Sequence, residues 1–149
     1  MDLSENARRQ SVLLHIVLAA SLGAYGVILL ILLGRTPNGR FPESSPSSPR
    51  VYPALVAVGA AQFGFATWAG RVLLRSRRSA AAGRVRRYFL MRGASAEAIG
   101  IYGMLAGLLR APLAYTVLLF ALSGIALALC APTREAWEKA VRAAESSAP

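Results

Sequence analysis

From Ser11 to Gly34 the chain runs for 24 residues without a formally charged side chain, and from Ala111 to Ala131 for another 21. About 20 apolar residues, rising 1.5 Å each as a helix, cross the roughly 30 Å hydrocarbon core of a bilayer. Both stretches therefore predict membrane-spanning helices. Two more fit the same template less cleanly: residues 51–74, apolar except for Gln62, Thr67 and Arg71, and residues 88–109, which hold Arg92 and the sole acidic side chain of the four, Glu97. The pattern predicts an all-α integral membrane protein. Four transmembrane helices, at 11–34, 51–74, 88–109 and 111–131, form two hairpins in a single membrane domain over 1–149.

The intervening segments differ sharply in composition. Residues 35–50, RTPNGRFPESSPSSPR, carry four prolines and four serines and predict an outer loop too polar to form a packed element. Arg110, Ala111 and Pro112 predict a tight turn with Pro112 at a first helical position, where its missing N–H costs nothing. Pro132 closes the last span. In the tail, 132–149, Thr133 is placed to cap a short amphipathic helix with Trp137, Ala140, Val141 and Ala144 on one face. Glu135 with Lys139 and Glu138 with Arg142 stand at i,i+4 spacing. That face suits the membrane surface or a partner.

Composition agrees: 55% of residues are hydrophobic and 16% charged, with a mean hydropathy of +0.46. The net charge of +10 would suggest nucleic acid in a soluble protein, but its placement favours topology. Eight of the 17 basic residues fall between Arg71 and Arg92 without an acidic neighbour. Six of them, Arg75, Arg77, Arg78, Arg84, Arg86 and Arg87, form a basic cytoplasmic loop at 75–87, on the membrane surface. Thirteen basic residues then lie on the side of the termini and four on the other, which predicts both termini in the cytoplasm of a bacterial-type inner membrane. The expected partners are the lipid bilayer and other membrane subunits or a second copy, with no nucleic acid. Arg8 and Arg9 before an apolar run resemble a signal peptide, but the run continues too far, so it predicts a retained anchor.

Chemistry-bearing residues are few. A lone cysteine, Cys130, and a lone histidine, His15, cannot make an internal disulfide or a multi-histidine metal centre, and no cofactor is expected. No nucleophile with a base, phosphate loop or acid pair supports catalysis on a soluble substrate. The informative stretch is 93–109. Gly93, Ala96, Gly100, Gly103 and Gly107 recur at three- and four-residue spacing and draw a stripe of small side chains, where a second helix can approach closely. Glu97 flanks the stripe. A carboxylate in hydrocarbon costs about 2.5–3.5 kcal/mol on insertion scales, so it is protonated, paired or in reach of water. Proton or cation binding is the functional reading; satisfaction by Arg92 or interfacial water, with Glu97 one turn inside the span, is the structural one. Gln62, an uncharged amide on the preceding helix, is the expected hydrogen-bond partner of protonated Glu97.

The segment Ala96-Glu97-Ala98-Ile99, then Ile101-Tyr102-Gly103 and a leucine-rich turn, resembles the second helix of the c subunit, or proteolipid, of rotary ATP synthases. The small-residue helix Val58 to Gly70 and the basic loop preceding it fit the same pattern. The resemblance implies that Glu97 binds and releases a translocated proton or sodium ion. The two functional expectations are thus an ion-binding or ion-translocating subunit of a membrane complex, and a non-transporting scaffold, assembly or accessory subunit.

Overall fold

The computed structural model describes residues 3–34, 51–75, 80–109 and 111–146. The described residues form five helices and no strand: α1 (Leu3–Gly34), α2 (Val51–Arg75), α3 (Ala81–Leu108), α4 (Leu113–Leu129) and α5 (Arg134–Glu145). Two of them, α1 over Glu5–Leu32 and α2, are long and apolar enough to cross a membrane. A third qualifies if α4 and α5, bent by 67° at their junction, are taken as one broken span. Alone, α4 has only 17 residues, and the arginines, glycines and Glu97 of α3 lower its apolarity.

Helix α3 is the hub, with α1, α2 and α4 packed around it and α5 across one end. A methyl group placed on Gly93, Gly100 or Gly107 would meet Leu18, Leu22 or Leu29 of α1 at 2.5–2.9 Å, so α1 runs parallel to α3 with its leucines seated in the glycine notches. On α4, Phe120 and Leu119 fill the space over Gly103, while the Ser123 Oγ donates to the Ala96 carbonyl at 2.7 Å. On α2, Gly59 faces Ile99 and Gly70 faces the Tyr88 ring. Both α2 and α4 therefore run antiparallel to α3. The small-residue stripe serves two neighbours within this chain: α1 on Gly93, Gly100 and Gly107, and α4 on Ala96 and Gly103. Small residues allow this because glycine lets backbones come close without leaving a void.

The boundaries differ from the sequence reading at three places. First, α1 begins at Leu3, two turns before the apolar run. Second, α3 begins at Ala81, so most of the supposed basic loop is helix. Third, Pro112 is the residue before α4 and Leu113 the first within it. The reason for the early start of α3 is a second apolar cluster at this end, where Val85 and Phe89 pack with Leu74, Trp137, Ala140 and Ala144, and Phe89 stacks on Trp137 with centroids 5.7 Å apart. Residues 81, 85 and 89 share a helix face, so α3 extends to meet α5. The apolar face of α5 is accordingly covered by the chain's own helices rather than held free for a partner. Thr133 accepts a hydrogen bond from the Ala136 N–H, as expected of an N-cap, whereas Glu138 pairs with Arg134 at 3.0 Å and not with Arg142.

Candidate functional site

Glu97 sits on the edge of α3 that faces α1. Its Oε1 accepts a short hydrogen bond from the Ser21 hydroxyl and a longer one, 3.3 Å, from the Tyr25 hydroxyl. Ser21 and Tyr25 stand one helical turn apart, so a single face of α1 presents both to the carboxyl. Among the described residues Glu97 forms no ion pair. Arg92, the nearest basic residue along α3, turns away: its Nη1 donates to the Tyr88 hydroxyl at 2.8 Å, with the guanidinium 5.2 Å from that ring's centroid. The Glu97 Oε2 has no hydrogen-bond partner among the described residues, and Glu97 as a whole is half-buried.

Two sequence expectations are corrected by this geometry. Gln62 does not reach Glu97. Its Oε1 accepts from Tyr102 at 2.6 Å, and Tyr102, five residues beyond Glu97, lies roughly 140° further round the helix. The α2-facing and α1-facing sides of α3 thus carry separate polar contacts. Arg84, expected on the membrane surface, is buried between α3 and α5, where its Nη2 donates to the Ala144 carbonyl at 2.7 Å. The last carbonyls of a helix lack internal donors and lie at its negative end, so a guanidinium is well matched there. Arg75, Arg86 and Arg87 are exposed, in keeping with a basic surface. Arg77 and Arg78, the loop 35–50 and Arg110 of the predicted turn lie outside the described residues.

The place of Glu97 along α1 follows from its partners. Ser21 is ten residues, or roughly 15 Å along a helix, from Ser11, where the uncharged run of α1 begins. By that measure the carboxyl contacts α1 at the middle of its uncharged stretch. The sequence reading overlooked Ser21 and Tyr25. The signal was present in their i,i+4 spacing within an otherwise apolar run, but nothing local to Glu97 pointed to α1.

Chemically the cluster can alternate between two hydrogen-bond arrangements. The Ser21 hydroxyl carries one proton and lies within reach of two acceptors, the Leu18 carbonyl at 2.8 Å and Glu97 Oε1. With Glu97 ionised, the hydroxyl turns to the carboxylate. With Glu97 protonated, the carboxyl donates to Ser21, whose own proton returns to the Leu18 carbonyl. Either state is satisfied without moving a helix. Among the described residues no cluster of histidine, cysteine and acidic side chains could hold a metal. No known protein family, curated protein or solved structure matches the chain, so the site is interpreted from its own geometry.

Proposed function

We propose that this is a four-span membrane protein, with both termini on the cytoplasmic side, whose Glu97–Ser21–Tyr25 cluster binds a proton or small cation as part of an ion-binding or ion-translocating subunit. The observation that carries the reading is the carboxyl itself. It lies against the centre of the longest uncharged run and has two hydroxyl partners, with no ion pair among the described residues and its second oxygen without a hydrogen bond. Intramembrane ionisable groups in such settings serve proton and ion pathways more often than packing. The resemblance of residues 94–109 to a proteolipid helix supports the same role. The alternating helix directions around α3 suit four spans in two hairpins, α4 being short but strongly apolar and α3 entering the bilayer through close packing that compensates for its modest apolarity.

A scaffold or accessory role is the second reading. It is favoured by Gly23, Gly26, Gly64 and Gly124, whose surroundings are empty within 4 Å and which give outward faces smooth enough for further helices. Dicyclohexylcarbodiimide separates the two, because it reacts with a protonated carboxyl reachable from hydrocarbon. Ion binding predicts labelling of Glu97 that is abolished in Glu97→Gln; a purely structural carboxyl predicts none.

A further inference from the structure

We infer that the crevice between α1 and α3 at the basic end of the bundle is a binding site for an anionic phospholipid. Ser11, Leu14, His15 and Leu18 of α1, Arg86, Phe89 and Leu90 of α3, and Pro132 line it. Its polar groups gather at one end. Arg86 is exposed and His15 half-buried, and neither makes a hydrogen bond or ion pair among the described residues. Ser11 is buried, and its hydroxyl donates to the Ala7 carbonyl at 2.9 Å, leaving oxygen lone pairs available. Leu14, Phe89 and Leu90 stand beside His15, and Leu18 lies one turn beyond it, so the rest of the lining is apolar. A charged head joined to a hydrocarbon tail has this same division, at the level where the uncharged run of α1 begins.

The charge around the crevice also selects its occupant. Glu5, the acidic residue nearest on α1, is engaged by Arg8 at 2.8 Å and Arg9 at 3.4 Å, Glu138 of α5 is engaged by Arg134 at 3.0 Å, and Arg86 has no ion pair among the described residues. Basic pockets between membrane helices select anionic headgroups over zwitterionic ones. The enclosed space is only about 10 Å³, the size of one water. It therefore admits a single phosphoryl oxygen beside His15, the rest of the phosphate resting on Arg86 and one acyl chain following the exposed Leu90 and Ala94 along α3.

The test is native mass spectrometry of the purified full chain with phosphatidylglycerol or phosphatidylcholine of matched acyl chains, alone and with excess inorganic phosphate. The site predicts at least tenfold greater retention of phosphatidylglycerol, unaffected by inorganic phosphate. It also predicts a fall of fivefold or more in Arg86→Gln and a smaller fall in His15→Leu. Arg87→Gln, altered one residue on and about 100° round the helix, should change retention less than twofold. Equal retention of the two lipids overturns the proposal, as does an equal loss in Arg86→Gln and Arg87→Gln, which marks unspecific charge attraction. Displacement by inorganic phosphate assigns the crevice to the free anion and overturns the lipid.

Discussion

Ser21 decides what Glu97 can do, because one hydroxyl proton is shared between a carboxyl on α3 and a carbonyl of its own helix. Ser21→Ala removes that exchange while leaving Tyr25, so carbodiimide labelling of Glu97 should persist at a changed rate. Labelling at the wild-type rate would remove Ser21 from the site. Glu97→Gln keeps the shape and the hydrogen-bond capacity without ionisation, so it should insert and fold like the wild type but lose ion-dependent activity. Equal ion-dependent activity in membranes carrying the two proteins would leave the scaffold reading standing. The carboxyl was legible as a candidate because it is the lone acid in the apolar stretches, whereas its partners were not. Gln62 is favoured in the sequence as an uncharged amide within the preceding span, yet an α-helix presents residues 97 and 102 to different neighbours, and Gln62 accepts from Tyr102.

At the scale of helices, the glycine notches and the α5 contact determine how the bundle holds together. Gly100 lies where a methyl group would meet Leu22 of α1 at 2.5 Å and the Ser123 Oγ of α4 at 3.0 Å. Gly100→Leu should therefore force both neighbours outward and lower stability by about 1–3 kcal/mol, the usual range for overpacking. Gly64→Leu, at a position where an added Cβ meets nothing within 4 Å, should not. Thermal unfolding of both variants in the same detergent checks the contrast. At the other end, Arg84→Met deletes the donor to Ala144 and should loosen α5 at a cost of about 1.5–3 kcal/mol, typical of a hydrogen bond involving a charged group. Faster amide exchange confined to α5 is the expected sign; exchange identical to wild type would mean that the Phe89–Trp137 stack suffices. The long apolar helices were readable from hydropathy because each is a continuous run. The start of α3 was not, since Arg84, Arg86 and Arg87 resemble a loop until α5 supplies the surface that Val85 and Phe89 cover.

For the molecule as a whole, the outward faces are apolar around the bundle: Leu30 is 68% exposed, Trp68 61% and Leu129 69%, while Leu119 inside is fully buried. That inversion of solubility rules suits lipid as the surrounding medium. The charge asymmetry predicts that single cysteines in the 35–50 loop react with impermeant thiol reagents from outside and that one at Ala80 does not; the reverse pattern would invert the orientation. The central claim is that the Glu97 cluster lies deep in the bilayer rather than at its surface. Its most direct test is a spin label at Ala98→Cys in a Cys130→Ser background, with collision rates for oxygen and for a water-soluble nickel complex measured in vesicles. A label beside Glu97 at the same depth as one at Ala24→Cys, rich in oxygen contact and poor in nickel contact, is the result the structure predicts. A label at headgroup depth, with nickel collisions as frequent as at Arg87→Cys, would contradict it.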